Sequence, residues 1–548
     1  MQVCGLTSEV TVCLIFATCS GCITSAESVL ITMQSHIQVL DFLAENATHE
    51  RSSRKWKIPI VSISPQSLSS LAASVSSPTT SVTSRQILHR LEAFFGQDLG
   101  IEHVYDTTFA RHISLLEHTG EYWERKAQSA SGAKGALPML ASACPGWICY
   151  AEKTHSEMLP FISRTKSPQQ AMGIIVKSWL ASKWNKEWVL SSLRSYRTCI
   201  ESTTNSPDQV YHVAVMPCYD KKLEASRQDF YNDLFSTRDV DCVITTGELE
   251  LLMKEKSWDI SVPVVKELVP TPPHTPPPKS SETGFDIALP QLISHPGTSS
   301  GSYLHTIIEA VRLRHRLGAS GQDSSDLELT VKALRTTDYE EYTLTDKETG
   351  KIVFKGAKCY GFRNLQNIVR RVGKEAGVQT GKGAAGRLVG GRARAVKKKG
   401  VTGGEDVHLD YVEVMACPGG CINGGGQLKR RELIKVDRGE KDSEGYQRDW
   451  NEAGVDLGSG LGARWGDKEW TKEVERVYWA ERDPDAPLHG GINAFAVHML
   501  HEMCGYDVSP ALSWHESMDE KAEAQRRTLF RTEYRAVESE VDGLLVKW

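Results

Sequence analysis

The stretch that decides the fold is Glu413-Val-Met-Ala-Cys417-Pro-Gly-Gly-Cys421-Ile-Asn-Gly-Gly-Gly-Gln427. Its two cysteines stand four apart inside a run holding five glycines, directly after the strand-like Val407-His-Leu-Asp-Tyr-Val-Glu-Val-Met415. Thiolates are soft ligands, preferred by iron–sulfur clusters and by zinc. Glycines let a backbone approach a bulky ligand and aim N–H groups at its sulfurs. A glycine-rich turn with two buried thiols is the bland alternative. A dinucleotide loop is disfavoured, because the G-x-G-x-x-G spacing is missing and cysteine stands in its middle.

Two further cysteines carry the argument outward. Cys144 stands in Ala141-Ser-Ala-Cys144-Pro-Gly-Trp147 and Cys218 in Val215-Met-Pro-Cys218-Tyr-Asp-Lys-Lys-Leu-Glu224. Each follows an apolar stretch, Leu137-Pro-Met-Leu140 or Val213-Ala-Val215, and each adjoins a proline. Four thiolates delivered from three distant loops suit a cubane cluster, which a single short motif cannot wrap. Together these motifs resemble the iron-only hydrogenases. They resemble more closely the non-hydrogenase relatives of those enzymes, the fungal-type cytosolic iron–sulfur protein assembly factors of the nuclear prelamin A recognition factor-like family. The resemblance runs from about Cys19 to Trp548. It implies that Cys144, Cys218, Cys417 and Cys421 hold one [4Fe-4S] cluster, and that Lys221, Glu224 and Arg227 occupy polar positions of the family.

Composition sets outer bounds. A chain of 548 residues exceeds one ordinary core, so two or three lobes are expected. Being 40% hydrophobic and 24% charged, it has the composition of a soluble globular protein. A net charge of −5 argues against a general nucleic-acid binder. Thirteen cysteines are too sparse for a disulfide scaffold, and their C-x-x-C and C-x-x-x-C spacings point to metal ligation in a reducing compartment.

Residues 1–50 hold no lysine or arginine, so Val10–Ala17 lacks the basic flank of a signal peptide. No run of about 20 apolar residues predicts a membrane helix. Cys19-Ser-Gly-Cys22 then opens a helix at Ile23, the spacing of half a ferredoxin-type or zinc site. The resemblance implies a second [4Fe-4S] cluster here, on a C-x-x-C-x-x-C triplet plus one upstream cysteine. The sequence departs from it, with Phe16 three residues before Cys19 and the nearest upstream cysteine at Cys13. Either an insertion leaves Cys13 and Cys4 to complete the set, or the true N-terminus differs.

From Lys57 onward, strand, loop and helix alternate. Ile58–Ile63, Tyr211–Met216 and Val240–Ile244 read as strands. Arg85–Phe95, Phe109–Leu116 (capped by Asp106-Thr-Thr), Tyr303–Leu317, Asn364–Val372 and the histidine-bearing stretch before His501 read as helices. This is the mark of an α/β protein, here two α/β lobes with largely parallel sheets around a buried cluster, plus a small N-terminal cluster-binding segment. Ligands sit at the carboxyl ends of parallel strands, where Cys144, Cys218 and Cys417 all fall. The expected divisions are 1–56, an N-terminal iron–sulfur segment; 57–268, a first lobe; 269–302, a Pro/Ser-rich linker; 303–430, a second lobe with a basic insertion at 373–404; and 431–548, a C-terminal region ending in a docking tail. His295–Ser302 is a small-residue loop, expected to pack near the cluster. Cys149, Cys199, Cys242, Cys359 and Cys504 lack partners at ligand spacing and are read as structural.

Three functions compete: hydrogenase, zinc-stabilised structural protein, and non-catalytic assembly factor. Hydrogenases carry a proton-feeding cysteine directly before the first ligand, and Ala143 has no proton to give there. Zinc sites gather their ligands from short knuckles, whereas this set spans Cys144 to Cys421. The assembly-factor reading remains. By resemblance its partners are a P-loop ATPase cluster scaffold and a WD40-propeller-containing targeting complex. The latter is reached through the C-terminal Trp548, in the cytoplasm and also the nucleus, with no nucleic acid and no membrane span.

Overall fold

The computed structural model describes residues 25–51, 53–77, 79–132, 136–183, 206–268, 289–318, 327–334, 336–375, 408–430, 467–481, 490–505 and 520–537. Cys4, Cys13, Cys19, Cys22, Cys199, the proline run, nearly all of the basic insertion and Trp548 lie outside the described residues. Among the described residues no helix is long and apolar enough to cross a membrane.

The strands are β1 (Ile58–Ile63), β2 (His103–Asp106), β3 (Met139–Ala141), β4 (Val210–Met216), β5 (Tyr231–Asn232), β6 (Thr237–Arg238), β7 (Cys242–Thr245), β8 (Leu327–Ala333), β9 (Tyr339–Asp346), β10 (Ile352–Tyr360) and β11 (Tyr411–Met415). One sheet has the order β2-β1-β4-β7 and is parallel throughout. The other runs β3-β11-β10-β9-β8, and β5 pairs with β6 alone. In the second sheet only β3, β11 and β10 are parallel; β10-β9-β8 is antiparallel. The departure from a largely parallel sheet has a local cause. β8, β9 and β10 follow one another through turns too short for a crossover. In the β9–β10 turn, Asp346 Oδ1 accepts the N–H groups of Glu348 and Thr349, and Gly350 supplies a φ of +66°.

β4 and β11 are buried at every position, as expected of strands covered on both faces. Although β3 falls within the 57–268 stretch, it pairs with β11 in the second sheet, so the chain passes between the sheets just where Cys144 follows. The helix Ser84–Asp98 starts in a capping box of Thr83 and Gln86 and buries Ile87, Leu88, Leu91 and Phe94, the face its sequence pattern marks.

The helix after Asp106 runs to Ala130, far beyond the expected Leu116. Its second half buries ionic groups that an apolar periodicity cannot register. Glu121 accepts Arg125 Nε at 2.8 Å, Ser163 Oγ at 2.8 Å and the backbone N–H of Arg164 at 2.9 Å. A C-terminal helix, Glu520–Phe530, brings Arg526 and Arg531 onto Glu117, and Arg531 also reaches Glu124. Just beyond, the Thr532 N–H donates to the Arg164 carbonyl at 2.8 Å.

Burial raises the Glu121 carboxyl, but Arg125, Arg531 and His118 outweigh it and hold it at about 2. A depressed folded-state value contributes stability above the unfolded value and loses it on acidification. Glu121→Gln should therefore cost about 3–5 kcal/mol near neutrality. In denaturant titrations, the gap to wild type should stay full above pH 4.5 and close as pH falls towards about 2.

Candidate metal centre

Three strand ends and one glycine turn build the site. Cys144 follows β3 and is the N-cap of the helix Pro145–Thr154. Cys218 follows β4 by two residues and precedes the helix Asp220–Ala225. Cys417 follows β11, and Cys421 opens the short turn Cys421–Asn423. β3 and β11 are neighbours in one sheet and β4 belongs to the other, so the cysteines meet across the seam between sheets, at the carboxyl ends.

Close backbone contacts lock that seam. Gly426 N–H donates to the Pro217 carbonyl at 2.9 Å, and Gly247 N–H donates to the Gly426 carbonyl at 3.0 Å. Gln427 Nε2 reaches the Gln66 carbonyl at 2.9 Å, and Gln66 Nε2 reaches the Ser299 carbonyl at 2.6 Å. Gly419 and Gly420 adopt φ of +73° and +82°, the left-handed region that favours glycine. The turn is fixed at Gly419, whose N–H donates to Asp338 Oδ1 at 2.9 Å.

The electrostatics bind the four thiols into one set. Burial pushes the Cys144 thiol up to about 12, and the negative charge of Cys421 and Asp220 adds to it. The N–H groups of Ala416 and Trp147 pull the other way. Cys218 is raised by burial, then by Asp220, Cys144, Cys417 and Cys421. Cys417 is raised by burial, then by Cys144, Cys421 and Asp220. For Cys421 burial again leads, while Lys221, the Ser300 hydroxyl and Arg111 oppose it. All four are free thiols; Cys218, Cys417 and Cys421 keep some exposed surface, yet enough protein surrounds them for desolvation to lead.

Four thiols that burial and mutual repulsion hold protonated form a set whose anionic state calls for a cationic core. Among the described residues no three His, Cys, Asp or Glu side chains converge at the spacing of a single metal ion. Four thiols within electrostatic reach of one another are the soft donors that an iron–sulfur core takes, one sulfur to each iron. The donor set therefore fits a cubane cluster.

The polar residues after Cys218 are engaged in pairs. Lys221 Nζ donates to Glu224 Oε2 at 2.5 Å and to Ser167 Oγ at 3.0 Å. Arg227 forks onto Glu152 through two bonds of 2.8 Å. Beside Cys144 lies a cavity of about 30 Å³ whose lining includes Ala143, Cys149, Ser167, Arg227 and Tyr534. Cys149 thus faces a cavity at the site, although its spacing reads as structural; Cys242, Cys359 and Cys504 are buried.

Several residues at the site escape sequence reasoning. Met415 Sδ lies 3.8 Å from Cys421 Sγ. Ser142 Oγ accepts the Cys144 N–H at 3.0 Å and donates to the Val414 carbonyl at 2.5 Å. Glu413 is fully buried. Only Glu413 leaves a trace, as a lone carboxylate inside an otherwise apolar strand.

These observations define the class, an iron-only hydrogenase fold with a four-thiol centre at its inter-sheet seam. The family model described as the iron only hydrogenase large subunit, C-terminal domain, matches residues 57–425. Apo [FeFe]-hydrogenase HydA1 from Chlamydomonas reinhardtii, a variant, superposes with a TM-score of 0.54, covering 92% of this chain and 99% of that one. At 20% identity the likeness is one of fold alone. The cytosolic Fe-S cluster assembly factor NAR1 of Cryptococcus neoformans is 40% identical over 95% of this chain and 85% of its own length. Narfl of Danio rerio, a cytosolic Fe-S cluster assembly factor, is 37% identical over 97% of this chain and 99% of its own. The chain belongs to the cytosolic Fe–S cluster assembly factors of the iron-only hydrogenase family.

A Cβ on Gly424 would land on the Pro217 carbonyl oxygen, backbone that cannot step aside. Gly424→Ala should therefore push the Cys421 turn away from the Cys218 loop. Iron content of the variant, purified without oxygen, is expected to fall at least severalfold while circular dichroism stays near wild type.

Proposed function

We propose that this protein is a non-catalytic component of cytosolic iron–sulfur protein assembly, carrying a [4Fe-4S] cluster on Cys144, Cys218, Cys417 and Cys421. The observation that carries the reading is the convergence of these thiols from three strand ends into one mutually repelling set. A bound cluster supplies a polynuclear iron centre able to accept an electron. The chain's own residues do the rest: β3, β4 and β11 fix where the sulfurs stand, and Lys221 and Arg111 offset part of the negative charge at Cys421.

The position directly before Cys144 supplies no proton relay. Ala143 lines the cavity beside Cys144, and its methyl group can neither give nor take a proton. Lys166 and Arg227, which also line it, are paired with Asp239 and Glu152.

A second [4Fe-4S] cluster is assigned to the N-terminal segment on Cys19, Cys22 and Cys13. In this reading the protein relays clusters from a P-loop ATPase scaffold to a WD40-containing targeting complex, and so to cytosolic and nuclear apoproteins. The names of its relatives support the cytosolic setting. Trp548 is the proposed docking element, since a partner can clasp both its ring and its terminal carboxylate.

Cys218→Ala and Cys417→Ala should each strip one cluster and lower the midpoint of unfolding, because ligation is coupled to folding. Full iron with unchanged stability in either variant contradicts the ligand assignment. Deleting Trp548 should leave iron content intact but weaken capture of the targeting complex; equal capture removes the docking role.

A further inference from the structure

The loop before the helix Tyr303–Gly318 lies across the Cys421 turn, and Ser300 is its point of contact. Ser300 is 3% exposed, and its Oγ accepts the Cys421 N–H at 2.9 Å. A Cβ on Gly420 would collide with this same hydroxyl, so the loop and turn meet without slack. Having accepted the amide, the hydroxyl oxygen still has one proton to give. Two acceptors belong to the residues it meets there: the sulfur of Cys421, whose N–H it accepts, and the oxygen of Tyr360, whose ring flanks Gly420 beside it. Tyr360 commits its own proton to Glu413 Oε1 at 2.5 Å. An iron-bound thiolate carries more negative charge than a neutral phenol and is the stronger acceptor.

The position of Ser300 is enforced from below. Glu413 accepts Thr298 Oγ1 at 2.8 Å, the Leu304 N–H at 2.8 Å and the Tyr360 hydroxyl. One buried carboxylate thus pins both ends of the loop and the ring beside it. Such a linked chain of hydrogen bonds polarises along its length. The adjacent serine plays a different part: Ser299 Oγ donates to Glu475 Oε2 at 2.7 Å.

We infer that Ser300 tunes the reduction potential of the cluster held by Cys421, its hydroxyl donating to the Cys421 sulfur. This rests on the proposed ligation of a cluster by Cys144, Cys218, Cys417 and Cys421. A hydrogen bond to a ligand sulfur favours the more negative, reduced state and so raises the potential.

The test is an anaerobic redox titration of the full chain followed by electron paramagnetic resonance, with the relevant signal identified by its loss in Cys417→Ala. Ser300→Ala should keep iron and sulfide at wild-type levels and shift the midpoint to more negative potential. Ser300→Gly removes the same hydroxyl and adds no atom beside Cys421, and it should shift the midpoint the same way. Ser299→Ala should leave it unmoved. An unchanged midpoint in cluster-loaded Ser300→Ala and Ser300→Gly overturns the inference but leaves the proposed cluster standing. A wild-type chain without an iron–sulfur signal overturns both.

Discussion

Four desolvated thiols held within reach of each other's charge are the constraint on which this architecture turns. At an effective dielectric of about 20, two unit charges about 6 Å apart repel by about 3 kcal/mol. Cys218 is raised by three of the other cysteines and Cys417 by two, and burial works in the same direction. A protein can keep such a set assembled only by fixing the backbone that bears it. That is the role of the links across the seam: Gly426 to Pro217, Gln427 to Gln66, and Gln66 to Ser299. The two sheets are joined where the thiols stand, so the packing of the seam and the placing of the thiols are coupled.

Paired charges surround the centre. The hydrogenase fold is retained, but Ala143 presents a methyl group to the cavity beside Cys144. The ionic groups on that side are tied into pairs and forks: Lys221 with Glu224, Arg227 with Glu152, Lys166 with Asp239. The C-terminal segment adds to the closure. Arg531 is sunk among Glu117 and Glu124, and Tyr534 packs its ring under the Arg227 guanidinium at 5.5 Å. Thr532 and Tyr534 thus form part of the wall of the cavity beside Cys144.

Much of the site was legible in the sequence because its signals are local. Cysteine, proline and glycine in short runs after apolar segments mark the ends of buried strands, and β3, β4 and β11 end where those runs begin. The small-residue loop at 295–302 lies against the Cys421 turn. Long-range pairings were out of reach. Glu413 anchors a loop more than one hundred positions away, and no spacing rule connects the two. The helix Thr108–Ala130 outran its predicted end because Glu117, Glu121 and Arg125 face inward and erase the apolar period. The helix Lys468–Trp479 buries only Val474 and Val477, too few apolar positions to mark it in the sequence. The second sheet reads as parallel until the hairpins of β8, β9 and β10 are recognised as turns rather than crossovers.

The central claim is that the thiol set holds a polynuclear iron–sulfur core, and elemental analysis of the full chain purified without oxygen addresses it most directly. The account predicts iron and acid-labile sulfide in equal amounts, about eight of each per chain with both clusters present or about four with only the Cys144 centre filled. Zinc without sulfide would contradict it and leave a structural metalloprotein in its place.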